Sequence, residues 1–145
     1  MTREITTAVD VAATPARVWE VLTDFPAYPE WNPFITRIAG DLTPGGTLDA
    51  FMRPEGSRGM GFKPTLVAAD APRELRWLGH LLVPGLFDGE HRFWIEEIGP
   101  GRSRLHHSER FTGVLAPLLL RFLEKGSRAG FESMNAALKE RAERG

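Results

Sequence analysis

The sequence predicts an α+β fold, in which an antiparallel sheet of about six or seven strands packs against a long C-terminal helix. Three observations predict it. Short alternating segments separated by Gly- and Pro-containing turns fill residues 34–111, as is typical of an antiparallel sheet. Two short helical segments lie between the first strand and this region. After Leu115 the apolar residues take the helical period.

The N-terminal region predicts one strand and two short helices. Residues 5–11 alternate between apolar and polar positions, which indicates a strand. Thr14 is a good N-cap and Pro15 suits a first helical position, so a helix is expected over residues 15–23, with an apolar face. A second turn or short helix is expected over residues 27–31, ending before Pro33.

The middle of the chain predicts a series of strands with short connections. Gly45-Gly46 and the pair of glycines around Pro100 mark turns. The loops at residues 54–61 and 82–87 are either plain hairpin turns or gates at a cavity mouth. Strands are predicted over residues 34–39, 47–53, 62–69, 74–82, 87–98 and 102–111.

The last thirty residues predict one helix with an unusual middle. One broad apolar stripe comprises Leu115, Leu118, Leu119, Phe122, Met134 and Leu138. Gly126 and Gly130 lie four residues apart, and each glycine inside a helix costs about 1 kcal/mol relative to alanine. Three interpretations stay open: close packing against the sheet, room for a cavity, or a break at Gly126.

Polar residues on the inward faces of the last two strands are the main functional signal. Side chains two apart on a strand point the same way, so His91 shares a face with Phe87 and Phe93. His107 and Glu109 share a face with apolar neighbours on the next strand. Burying such groups costs free energy unless they find partners, so we expect this face to line a partly polar cavity. A histidine paired with Glu109 would also be a candidate general base.

Composition excludes several classes of function. A net charge of −1 over 145 residues indicates no overall electrostatic attraction to nucleic acid or to an anionic membrane. No apolar run reaches the roughly 20 residues that span a bilayer, and cysteine is absent, which excludes thiolate chemistry. The sequence therefore predicts one cytoplasmic domain over residues 1–145, without membrane insertion.

Five segments of the chain are similar to one superfamily. They are TPARVWEVLTDF (14–25), YPEWNPF (28–34), LRWLG (75–79), GLFDGEHRF (85–93) and HSERFTG (107–113). The chain resembles the START-like or SRPBCC superfamily, the Bet v 1-like group of polyketide cyclases, dehydrases and lipid transport proteins, in a bacterial branch of unassigned activity. The resemblance implies a helix-grip fold, with the sheet curved around the C-terminal helix and a cavity between them. It implies no metal and no cofactor.

Three functions follow from these observations. The first is binding of a small apolar or aromatic molecule, such as a lipid or polyketide, by a monomer or weak homodimer. The second is a cofactor-independent cyclase, aromatase or hydratase in which His91 or His107 is the base and Glu109 orients it. The third is an interaction module like the chaperone activators, indicated by Trp94 and the loop at 82–87. The expected ligand contacts are Trp31, Phe51, Trp77, Phe87, His91, Phe93, Leu105, His107, Glu109, Phe111, Phe122 and Gly126.

Overall fold

The computed structural model describes residues 3–144, which form eight strands, three α-helices and one 3₁₀ turn. The strands are β1 (Arg3–Val11), β2 (Ile35–Ala39), β3 (Asp49–Met52), β4 (Met60–Phe62), β5 (Thr65–Asp70), β6 (Glu74–His80), β7 (Asp88–Gly99) and β8 (Arg102–Thr112). The helices are α1 (Pro15–Thr23), α2 (Tyr28–Trp31) and α3 (Ala116–Arg144), and the 3₁₀ turn is Phe25–Ala27.

The strands form two antiparallel sheets that α3 covers. Five strands pair in the order β1-β8-β7-β6-β5, and three pair in the order β2-β3-β4. The predicted fold class is confirmed. The strand predicted over residues 62–69 is divided, because the chain pairs with β3 up to Phe62 and with β6 from Thr65. Pro64 between them cannot donate a backbone hydrogen bond. A bridge between Thr47 and Thr65 connects the two sheets.

The N-terminal helices form where the capping residues predict them. The Thr14 side chain accepts a hydrogen bond from the Arg17 backbone N–H, and Pro15 occupies the first helical position. The 3₁₀ turn and α2 follow directly. Tyr28 is fully buried and its hydroxyl donates to the Leu22 carbonyl at 2.6 Å, which joins α2 to the end of α1.

Helix α3 is continuous, so the break considered at Gly126 does not occur. Its buried residues are Ala116, Leu120, Gly130, Phe131, Met134, Asn135, Leu138 and Ala142. The predicted stripe was wrong in the first turns, since Leu118 and Phe122 are exposed. Extending the 3.6-residue period back from Leu138 leads to Ala116 and Leu120, on the other side of the helix. No side chain is buried over residues 121–129.

Both glycines of α3 lie in close contact with other parts of the chain. A Cβ on Gly130 would lie 2.3 Å from the Phe34 ring, and one on Gly126 would lie 2.8 Å from the Glu55 carbonyl oxygen. Such separations are too short for real side chains, so both positions require glycine for close packing. None of the helices in residues 3–144 is long and apolar enough to cross a membrane.

Candidate ligand-binding site

A cavity of about 240 Å³ opens between the first turns of α3, the strand pair β3–β4 and strands β6–β8. Its lining is almost entirely apolar. The lining residues are Met52, Met60, Phe62, Trp77, Gly79, His80, Leu81, Phe87, Gly89, Glu109, Phe111, Leu119 and Leu123. Pockets of this size and character suit small apolar molecules, and a few placed polar groups fix their orientation.

Glu109 is the carboxylate of this cavity, and its side chain is 14% exposed. In the β7–β8 register Glu109 pairs with His91, and Gly89 pairs with Phe111. A Cβ on Gly89 would lie 2.3 Å from Oε2 of Glu109, so the carboxylate lies directly against the Gly89 backbone. Its Oε1 lies 3.4 Å from Nδ1 of His91. Because glycine has no side chain, position 89 leaves the space that the Glu109 carboxylate occupies on the cavity wall.

His91 and His107 lie fully buried beneath the cavity wall. Their Nε2 atoms are 2.6 Å apart. The Trp77 ring stacks on His91 with the centroids 5.3 Å apart and separates it from the cavity, while Phe131 stacks on His107 at 4.3 Å. Of the three groups that were expected to converge, only Glu109 is among the residues that line the cavity.

Hydrogen bonds to Thr7 and Asn135 determine which nitrogen atoms carry protons. The Thr7 hydroxyl donates to the His107 backbone carbonyl, so its oxygen accepts from the Asn135 amide nitrogen. Asn135 Oδ1, 2.8 Å from His107 Nδ1, must then accept from that nitrogen. In neutral rings, His107 Nε2 therefore accepts the Nε2–H of His91.

The hydrogen bonds run from Asn135 through His107 to His91, and His91 Nδ1 is the atom at their end. In the neutral ring that atom is an acceptor, and it has no hydrogen-bond partner among the described groups. The carboxylate of Glu109 is also an acceptor, so one proton between the two would satisfy both. The unpartnered end of the network, His91 Nδ1, therefore lies beside Glu109, the only carboxylate in the cavity lining of the described chain.

Burial holds His107 in its neutral form. The pKa of His107 lies well below its usual value, first because desolvation penalises the charged ring and then because His91 is close. The hydrogen bond with Asn135 acts in the opposite direction and is the weaker effect. His107 therefore stays neutral, in the tautomer that the hydrogen bond with Asn135 selects.

Four of the expected ligand contacts line the cavity: Trp77, Phe87, Glu109 and Phe111. Four others are buried in the core behind this wall: His91, His107, Phe93 and Leu105. Trp31 packs on Tyr28, and Gly126 packs on the loop at Glu55. Phe51 lies against Gly59, and Phe122 is 76% exposed. Strand parity identified the inward faces but not the depth of each residue beneath the cavity surface.

Several lining residues were not predicted. Met52 and Met60 were missed because the faces of β3 are poorly defined in the sequence, and Phe62 was assigned to a different strand. Gly79 and Gly89 could have been predicted from the sequence, since a glycine inside a strand often marks a close approach of other atoms. Strand parity places His80 on the opposite face from Trp77 and Gly79. It lies at the cavity mouth, where Nδ1 is 2.8 Å from the Asp88 carboxylate.

A larger groove of about 430 Å³ crosses the outer face of the five-stranded sheet and is lined mainly by charged side chains. Arg92 pairs with Glu74 at 2.5 Å and Arg76 pairs with Glu90 at 3.6 Å across its floor. These four charged side chains are held in ion pairs with each other, so the smaller apolar cavity is the better ligand site. Within residues 3–144, no group of three histidine, aspartate or glutamate side chains could hold a metal ion.

Comparisons with known proteins agree with this architecture. The Zhui aromatase/cyclase of Streptomyces sp. R1128 superposes with a TM-score of 0.82 at 18% identity, covering 99% of this chain and 95% of that one. A START superfamily protein of Mycobacterium smegmatis gives 0.74 at 21% identity, covering 97% of both chains. Norcoclaurine synthase of Thalictrum flavum, as a point mutant, gives 0.74 at 16% identity, covering 98% and 94%.

These identities establish the fold alone, and no curated protein matches the sequence. The sequence itself matches a family model described as polyketide cyclase / dehydrase and lipid transport over residues 2–143. That match spans nearly the whole chain and confirms the resemblance seen in five segments between residues 14 and 113. The chain therefore belongs to the polyketide cyclase / dehydrase and lipid transport family.

Proposed function

We propose that this protein binds small apolar or aromatic molecules in the cavity between α3 and the sheets. The observation that carries the proposal is the nearly complete apolar lining around the single carboxylate of Glu109. Phe87 and Phe111 stack face to face with their centroids 5.5 Å apart and offer a flat wall for an aromatic ring. Membership of a family that includes lipid transport supports the same class of ligand.

Filling the cavity should abolish binding. Gly79 lines the cavity, and a Cβ there would meet only ordinary contacts, the nearest being Phe62 at 3.7 Å. We expect Gly79→Leu to occupy the ligand space without straining the backbone. Binding of the neutral fluorophore N-phenyl-1-naphthylamine should be saturable in the native protein. It should weaken at least tenfold in the variant, about 1.4 kcal/mol, as measured by fluorescence titration.

Gly99→Leu is the matched control, because Gly99 lies on β7 with nothing within 4 Å of a new Cβ. It should leave the affinity unchanged. Equal affinity of Gly79→Leu and the native protein would reject the proposed cavity, as would a native protein that does not bind the fluorophore.

The contact between Glu109 and His91 favours acid–base chemistry as a second candidate function. In this role Glu109, rather than either histidine, would touch the ligand. His91 would be a positioning residue, whose Nδ1 lies 3.4 Å from Oε1 of the carboxylate. The simplest step is removal of a proton from the carbon next to a ligand carbonyl. The Glu109 carboxylate accepts the proton, the C–H electron pair becomes the enolate double bond, and the carbonyl π pair moves to oxygen. The Glu109 O–H exchanges with solvent and returns a proton or deuteron to the same carbon, which restores the carbonyl and the carboxylate.

Deuterium exchange into an enolisable probe tests this candidate. The native protein should accelerate exchange at the methyl group of 2-acetonaphthone in D₂O, measured by NMR. Glu109→Gln should lower that acceleration by about a hundredfold, the usual order for a positioned general base. Gly89→Ala should also slow it, because the new methyl group displaces the carboxylate.

His80→Gln is the control for the exchange measurement, since His80 lies at the mouth and pairs with Asp88. It should exchange at the native rate. Fluorophore binding in every variant reports whether the cavity is intact. Exchange at the buffer rate in the native protein, or at the native rate in Glu109→Gln, would refute the acid–base role and leave the binding proposal standing.

A further inference from the structure

Exposed apolar side chains gather at the mouth of the cavity. Of the ten large hydrophobic residues that are exposed in residues 3–144, seven lie on three segments: 58–63, 81–87 and 113–125. They are Met60, Leu82, Val83, Val114, Leu118, Phe122 and Leu123. Scattered exposed apolar residues are normal, but a concentration on neighbouring segments marks a surface that meets another phase or partner. We call these three segments the mouth face.

The three segments of the mouth face are adjacent. Met60 and Leu123 line the same cavity from opposite segments. The backbone N–H of Val114 donates to the Gly85 carbonyl at 3.1 Å, and that of Leu115 donates to Leu86 at 2.9 Å. The apolar side chains therefore surround one opening rather than lying on separate parts of the surface.

The mouth face includes a strained residue. Leu82 has a φ of 65°, the one non-glycine residue of the described chain with a positive φ, and it is 86% exposed. The Val83 N–H donates to the Leu81 carbonyl at 2.8 Å, which closes a tight γ-turn around Leu82. A branched side chain in this conformation costs free energy, and such strain concentrates at functional positions. Here the strain directs an apolar side chain into solvent.

The mouth face also carries a local excess of positive charge. Its segments contain Arg58, Lys63, Arg121 and Lys125 against the single acidic residue Glu124, although the whole chain has a net charge of −1. All four cations are exposed, and among residues 3–144 none of them pairs with a carboxylate. Elsewhere on the surface, Arg104 and Arg92 are held in ion pairs.

We propose that the mouth face docks on the surface of a lipid bilayer that contains anionic headgroups. Leu82 and Phe122 would enter the boundary between headgroups and acyl chains, while the four cations contact the headgroups. A symmetric dimer through this face would bring its like charges together. This contact goes beyond the proposed ligand binding and does not require an occupied cavity.

Sedimentation with vesicles tests the proposal. The probes are vesicles of phosphatidylcholine alone and of phosphatidylcholine mixed with phosphatidylglycerol. We expect the native protein to bind the mixed vesicles at least tenfold more tightly, because each headgroup-contacting cation contributes about fivefold. The double variant Leu82→Ser, Phe122→Ser should lose at least tenfold in affinity. The variant Arg121→Gln, Lys125→Gln should reduce the preference for the mixed vesicles by about 25-fold, about fivefold for each cation removed. Added salt should weaken native binding.

The matched control is Leu42→Ser, Val67→Ser, which changes two exposed apolar residues outside the mouth face. It should bind the mixed vesicles like the native protein. Gly79→Leu should also bind them normally, so failure of docking and failure of ligand binding give different results. The proposal is overturned if the native protein ignores mixed vesicles or if the serine variants bind them equally well. It is also overturned if sedimentation velocity shows a dimer that the serine variants abolish.

Discussion

Acidification should destabilise this protein in a pH range above that of its carboxylates. The folded state holds the pKa of buried His107 well below 6.5, whereas the unfolded chain has the ordinary value. Below pH 6.5 the unfolded state therefore binds the extra proton, and stability falls as the pH falls. We expect a loss of about 1.4 kcal/mol per pH unit, ending when the pH reaches the folded-state pKa.

The groups packed on His107 are mostly unable to ionise. They are His91 on β7, Asn135 on α3, and the rings of Phe34, Phe93 and Phe131. Apart from His91, none of them has an ionisable side chain.

Urea unfolding between about pH 7.5 and about pH 5 measures the effect. The controls His80→Gln and His106→Gln remove partly exposed histidines that pair with Asp88 and Glu96, and they should keep the native slope. The depressed pKa of Asp88 contributes stability that is lost only below its ordinary value of 3.8. A free energy of unfolding that stays constant from pH 6.5 to 5 would contradict the buried neutral state of His107.

Replacement of Asn135 by leucine should be the most damaging change in the polar network. Asn135 is buried, and its amide joins Thr7 Oγ1 to His107 Nδ1 with both contacts at 2.8 Å. Leucine fills a similar volume but leaves a buried N–H and a buried hydroxyl acceptor without partners. Each such group costs about 1–3 kcal/mol, so we expect Asn135→Leu to lose about 2–5 kcal/mol of unfolding free energy.

A double-mutant cycle with Thr7→Val separates loss of the network from simple repacking. Valine removes the hydroxyl that Asn135→Leu would leave unpaired, so the two changes together should cost less than the sum of their separate effects. A coupling energy of about 0.5–3 kcal/mol is expected between groups in one network. Additive effects in the cycle, measured by urea unfolding, would show that the amide does not connect the two strands to the helix.

Strand parity was enough to bring the polar groups of the last two strands together. His91, His107 and Glu109 share the inner face of adjacent antiparallel strands, and cross-strand neighbours on one face are in contact by geometry. Parity does not specify depth. The Trp77 ring covers His91, while the small Gly89 leaves Glu109 open to the cavity. In the acid–base function proposed above, Glu109 rather than a histidine would therefore be the base.

Local sequence patterns could not predict the rest of the hydrogen-bond network. Asn135 and Thr7 are separated by 128 residues, and neither has a motif that identifies a partner. The buried face of the first turns of α3 was predicted wrongly for a related reason. Leu118, Leu119 and Leu120 are consecutive, so apolarity alone cannot choose the buried one, and the packing of Phe131 and Leu138 farther along the helix decides in favour of Leu120.

The middle of α3 divides the helix into two separately anchored parts. Between Leu120 and Gly130 the helix buries no side chain. Its contacts there include the loop at Glu55, the cavity through Leu123, and a hydrogen bond from the exposed Arg128 to the Thr6 carbonyl. Helices in proteins owe most of their stability to packing of one face, and segments without it open locally at a fraction of the global free energy. Unwinding these turns would uncover the cavity while both anchored parts and every strand pair stay in place. The free energy of admitting a ligand can therefore be adjusted by substitutions at exposed positions of this segment, independently of the stability of the fold.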